Sequence, residues 1–155
     1  VIVIDSDVLI LAFAFQRDER QPINHQFLSI TPPKPRGATI YSIMEVLGKL
    51  SFNLSQDQLR KWPLWLRDAY QLNIIFPAVE GQEAAGCFRR EWVESPLQMM
   101  AQRIAYLDAL ILHLVERMPD IDVFVTWNAR HFSGKTAIRV MTPAEYMTSG
   151  AEQKE

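Results

Sequence analysis

Val1-Ile2-Val3-Ile4 is a run of four β-branched residues and reads as a strand buried on both faces, as at the centre of a parallel sheet. It runs into Asp5-Ser6-Asp7, after which the apolar pattern resumes as a helix from about Val8 to Phe15. Gln16 to Gln21 is charged or amide at every position and predicts a solvated turn, followed by a helix over Ile23 to Ser29. Three prolines and a glycine between Thr31 and Gly37 mark a loop, and Ala38 to Tyr41 a second strand. Ser42 with Glu45 three residues later fits a capping box opening a helix from Ile43 to about Phe52.

Ser55 caps a helix from Gln56 to about Trp62, which Pro63 breaks or restarts. Asn73 to Pro77 is a third strand. Helical stretches follow over Glu80 to Glu94 and Pro96 to Arg117, with Ser95 as the cap of the second and Pro96 at its first position. Asp122 to Thr126 and Ile138 to Met141 complete the strands, and Pro143 opens a short terminal helix. Strands alternating with helices predict an α/β fold, with a central, mostly parallel sheet of four to five strands flanked by helices. One domain over 1–149 and a flexible tail over 150–155 are expected.

Two acids interrupt this pattern where burial makes a charge costly. Asp5 sits at the carboxyl end of the first strand, the edge at which open α/β sheets bind ligands. Asp108 lies four residues after Ile104 and three before Ile111, on a stripe that Leu107, Leu114 and Val115 continue. A lone buried aspartate would neutralise or destabilise the fold, and a metal ion or another shared charge would resolve the conflict. Hydrogen bonds from helix-terminal amides would also hold such a residue. Glu45 has an ordinary structural role open to it as a capping-box residue. Its place just after a strand, with Gly48 permitting close approach, also suits a site. Asn128 follows the fourth strand with only Trp127 between, where an amide can position water or form a turn.

Composition narrows the classes. With 16 basic and 18 acidic side chains the chain is not a uniformly basic nucleic-acid glove, although a local basic rim remains compatible with it. Cys87 is the only cysteine, so no disulfide framework and no cysteine-based zinc site is expected. No apolar run reaches the roughly 18 residues of a membrane span, and Asp5 and Asp7 break the first run against a signal peptide. A cytoplasmic setting without membrane association is expected.

Five segments in order resemble the PIN-domain family, and within it the VapC-type toxin ribonucleases. They are the strand into Asp5-Ser6-Asp7-Val8-Leu9, Ser42-Ile43-Met44-Glu45-Val46-Leu47, Leu107-Asp108-Ala109-Leu110-Ile111-Leu112, Val125-Thr126-Trp127-Asn128-Ala129-Arg130-His131-Phe132, and Met141-Thr142-Pro143-Ala144-Glu145-Tyr146. The resemblance implies a metal-dependent endoribonuclease with Asp5, Glu45 and Asp108 as acidic triad and metal ligands. Asn128 stands at the place of a variable fourth catalytic residue, where many members have Asp, and Asp7 where the family often has a neutral residue.

Oxygen-only ligands suit Mg²⁺ or Mn²⁺. On this reading Lys49, Arg103, Arg130 and His131 are candidate RNA-phosphate contacts. An antitoxin partner and a homodimer are implied, with the apolar Leu9–Phe15 and Leu64–Tyr70 stretches available for either. Two other readings compete. One is a non-catalytic PIN-like module binding RNA or protein. The other is a phosphatase forming an aspartyl-phosphate on Asp5 with Asp7 as acid/base, although Thr126-Trp127-Asn128 lacks the later acids such an enzyme calls for.

Overall fold

The computed structural model describes residues 1–15, 17–78 and 84–151. Five short strands, β1 (Ile2–Ile4), β2 (Arg36–Thr39), β3 (Leu72–Ile75), β4 (Val123–Val125) and β5 (Val140–Met141), form one parallel sheet in the order β3-β2-β1-β4-β5. The central strand β1 sets Ile2 against Arg36 on one side and against Val123 on the other. The chain builds outward from β1 to β3, then returns to the far side of β1 to add β4 and β5. That reversal places a topological switch point between β1 and β4, where an open α/β sheet leaves a crevice beyond its strand ends.

Helices cover both faces, as an all-parallel sheet requires. They are α1 (Ser6–Ala14), α2 (Gln21–Ser29), α3 (Ile40–Leu50), α4 (Gln56–Tyr70), α5 (Ala84–Arg89), α6 (Ser95–Met100), α7 (Tyr106–Glu116), α8 (Ala129–Phe132) and α9 (Pro143–Ala151), with a π-helical turn (Arg90–Glu94) joining α5 to α6. The period of two along β1 divides the core. Ile2 and Ile4 pack with Val8, Phe27, Val46 and Leu66, while Val3 faces Ile111, Val115, Phe124 and Phe132. Arg36 is buried at the start of β2, and its guanidinium donates to the carbonyls of Phe27 and Leu28, which the last turn of α2 leaves open.

Several boundaries differ from the sequence expectation, each for a local reason. α1 begins at Ser6, because the Asp5 side chain accepts from Ser6 N and caps it. β2 lies at Arg36–Thr39 rather than Ala38–Tyr41, so part of the expected proline loop is strand. α3 then starts at Ile40, with Thr39 as the cap accepting from Ser42 N. The expected Ser42–Glu45 capping box does not form, which leaves Glu45 in the helix body. Gly48 faces open space and mediates no close approach. Ser55 caps α4 as expected, in a capping box with Gln58, and the helix runs unbroken through Pro63 to Tyr70. Packing of Trp62 against Phe13 and burial of Leu66 hold the helix across the missing N–H.

The long helix expected over 96–117 is two. It breaks after Met100, where Arg103 adopts a left-handed φ of 62°, and α7 restarts at Tyr106. Ser95 is helical and caps nothing, since the π-helical turn runs directly into α6. The break matters for the site: Asp108 lies in the first turn of α7, not inside a continuous apolar stripe with Ile104. Gln16, residues 79–83 at the start of the expected Glu80–Glu94 helix, and tail residues 152–155 lie outside the described residues.

Candidate functional site

Beyond the carboxyl ends of β1 and β4 the chain brings four acids together. Asp5 is buried and spends one oxygen on Ser6 N at 2.7 Å. Asp7, one turn into α1, accepts at Oδ2 from the Thr126 hydroxyl at 3.0 Å and from Asn128 N at 3.1 Å. Its Oδ1 is buried with no partner. Glu45 reaches over from α3, where its Oε2 accepts from Ser6 Oγ at 2.6 Å. Asp108 Oδ2 lies 3.7 Å from His131 Nε2, a buried nitrogen that makes no hydrogen bond.

These acids feel one another. Burial first, then the charge of Asp7 and more weakly that of Asp108, pushes the Asp5 carboxyl well above the ordinary range. Burial also raises Asp7, against hydrogen bonds from backbone and from Thr126. The Thr126 hydroxyl lies against both acids and has a single proton to give. Asp108 is raised by burial and by Glu45, while His131 and Lys135 pull it down. Negative charge is therefore concentrated here without a cation buried among the acids.

The donor chemistry fits a hard divalent ion: carboxylate oxygens only, with Asp7 Oδ1 buried and unpartnered. The set is not a closed cage. Ser6 and Thr126 already occupy oxygens of Asp5, Glu45 and Asp7, and among the described residues no three His, Cys, Asp or Glu side chains are placed to share one ion.

Of the residues singled out from sequence, Asp5, Glu45 and Asp108 do converge on this edge. Asn128 precedes α8, exposed; its backbone N–H binds Asp7 while its side chain makes no cap. Lys49 lines a cavity with Glu45, and His131 meets Asp108. Arg130 instead faces Glu145, and Arg103 forms no ion pair among the described residues. Ser6, Thr126, Lys135 and Arg20 belong to the site's surroundings and were not singled out. Ser6 and Thr126 flank the strand ends, a usable signal. Lys135 arrives from the turn at Gly134 (φ 72°), which no periodicity marks.

The fold and site together define an α/β protein with an acidic crevice at the switch point of a five-stranded parallel sheet. No family model matches the chain, and no curated protein matches it. Among solved structures the chain is similar to one from a "Toxin-antitoxin complex from Klebsiella pneumoniae", at TM-score 0.59 and 20% identity, over 92% of this chain and 98% of that one. At this identity the likeness is one of fold. No helix among the described residues is long and apolar enough to cross a membrane.

Proposed function

We propose that the protein is a PIN-like endoribonuclease dependent on Mg²⁺ or Mn²⁺, and the toxin half of a toxin–antitoxin pair. The observation that carries this reading is the meeting of Asp5, Asp7, Glu45 and Asp108 at one sheet edge with their charge uncompensated. Asp5 and Asp108 would hold the ion directly, with Glu45 beside them. When bound, such an ion would relieve the repulsion, activate water toward phosphodiester attack and stabilise charge on the phosphoryl oxygens.

The chain's own residues do the rest. Ser6 orients Glu45, and the Thr126 hydroxyl with Asn128 N fixes Asp7. Lys49 on α3 and Lys135 near Asp108 supply positive charge that lets an RNA phosphate approach an acidic crevice. The fold likeness to a member of a toxin–antitoxin complex supports the toxin role. A protein partner would then act by covering this edge, and the exposed Phe15, Leu64 and Trp65 are apolar surface available to it.

The test is cleavage of single-stranded RNA by the purified protein with MgCl₂, MnCl₂ or EDTA, with Asp108→Asn in parallel. Cleavage that depends on the added ion and is lost in the variant is expected. Products that persist in EDTA, or in a folded Asp108→Asn protein, contradict the reading.

A further inference from the structure

Beside the acids lies a cavity of about 250 Å³ whose walls are not those of a metal site. Asp7, Ser6 and Glu45 close one end. Ile10, Leu11 and the 56% exposed Phe15 give it an apolar side, and Trp127 an aromatic one. Trp127 is locked in place: its indole N–H donates to Asn24 Oδ1 at 2.7 Å, and the fully buried Asn24 is itself tied to Val8 O. Arg20 completes the enclosure, its guanidinium 5.6 Å from the Trp127 ring centroid.

Arg20 is not a loose surface charge. Nε and one terminal nitrogen bind the two oxygens of Asp18 at 2.8 and 2.7 Å, which fixes the guanidinium plane. Lys49, in contrast, forms no ion pair among the described residues, and it sits at the same cavity one turn past Glu45. The arrangement is thus a fixed indole, a fixed guanidinium plane, an exposed phenyl ring and one lysine without an ion pair among the described residues, next to the acids that would act on a phosphate. Unpaired RNA bases are held by stacking on aromatic rings and on guanidinium planes, with the backbone met by cations.

We propose that this cavity is a nucleobase subsite: it takes one unstacked base of single-stranded RNA adjoining the phosphate to be cut. Phe15, Arg20 and Trp127 supply its stacking walls, and Lys49 the contact to the neighbouring phosphate. The inference rests on the ribonuclease reading and adds to it where the substrate's base goes. Duplex RNA, whose bases stay stacked, cannot fill the subsite without opening.

The experiment is binding of short single-stranded RNAs to the full chain carrying Asp5→Asn, in millimolar MgCl₂, by fluorescence anisotropy. One abasic ribose is walked along the RNA. At one position the abasic RNA is expected to bind roughly five- to a hundredfold more weakly than the intact one. Phe15→Ala and Arg20→Ala, both at exposed positions, should weaken intact RNA by a similar factor and leave abasic RNA unchanged, closing the gap. Equal binding of intact and abasic RNA at every position overturns the subsite and leaves the ribonuclease reading standing. So does a loss in the two variants that falls equally on both RNAs. Failure of the variant to bind either RNA overturns the subsite, while cleavage of the same RNAs by the wild-type chain with MgCl₂ decides the ribonuclease reading separately.

Discussion

Helix α7 meets buried acid at each of its ends, and the two ends are opposites. At its first turn Asp108 joins Asp5, Asp7 and Glu45, and burial raises Asp5, Asp7 and Asp108. Toward its last turn His113 meets Glu91, which projects from the π-helical turn. Glu91 is as buried as Asp5, yet its Oε2 takes His113 Nε2 at 3.0 Å and its Oε1 takes Arg117, with Arg90 at 3.4 Å. Burial raises its pKa, but Arg117 and His113 more than offset this, and the carboxyl stays below its ordinary value. Glu91 is paired with cationic side chains of the protein, whereas Asp5 and Asp7 form no ion pair with an arginine or lysine among the described residues. Burial alone therefore does not mark a candidate site; burial without a paired cation is what distinguishes the first cluster from the second.

That contrast breaks most visibly in activity. Asp5→Asn and Asp108→Asn are each expected to lower Mg²⁺-dependent RNA cleavage by roughly a thousandfold, while Glu91→Gln leaves it within a factor of two or so. Single-turnover rates on one RNA measure all three. Equal losses would mean that the two clusters do the same work.

In stability the ranking inverts. Removing Glu91 strands His113 and Arg117, a loss of roughly 3–5 kcal/mol for a sealed pair. Here Arg117 and Arg90 keep 41% and 44% exposure, so water screens them and Glu91→Ala is expected to cost only about 1–2 kcal/mol. Urea unfolding would read it. Asp5→Asn should instead raise the Tm of the ion-free protein at neutral pH, by roughly 3 °C for each kcal/mol of repulsion removed.

The pH dependence sharpens this further. Asp5 has its folded pKa raised, so the folded state binds its proton more tightly than the unfolded chain does. Its favourable contribution is complete below the unfolded pKa and is lost as pH rises through the folded value. The Tm difference between Asp5→Asn and wild type should therefore be small near pH 4 and widen toward pH 8, measured by calorimetry in EDTA. For Glu91 the sign is opposite: its lowered pKa gives stability present at neutral pH and lost on acidification.

The smallest effect expected is that of Ser6→Ala. It removes the hydrogen bond that orients Glu45, worth about 1 kcal/mol, and should reduce cleavage several-fold without changing which ion supports it.

How much of this was legible in the sequence follows from what each feature depends on. The buried strand Ile2–Ile4 and its terminal Asp5 were readable because four β-branched residues and an acid are local facts. The parallel α/β sheet was readable from alternation of elements, although its strand order, and so the switch point, depends on packing. Asp108 drew notice for a partly wrong reason: it is an out-of-place acid, but at a helix start created by the break near Arg103. A single residue in the left-handed region leaves no periodic trace. Glu45 had both a capping and a site role open to it; Thr39, not Ser42, caps α3, and the freedom of Glu45 to face Ser6 emerges only with the earlier start of that helix. The Glu91 cluster was invisible, since a π-helical turn and a partner 22 residues away set it.

The central claim is that uncompensated acid at the β1–β4 edge is a cation site and that compensated acid at Glu91 is not. Calorimetric titration of the protein with Mn²⁺ tests it most directly, using wild type, Asp5→Asn, Asp108→Asn and Glu91→Gln. Saturable binding in wild type and Glu91→Gln, lost or weakened at least tenfold in the two aspartate variants, is the expected result. Absence of Mn²⁺ binding in wild type, or binding that survives unchanged in both aspartate variants, would contradict it.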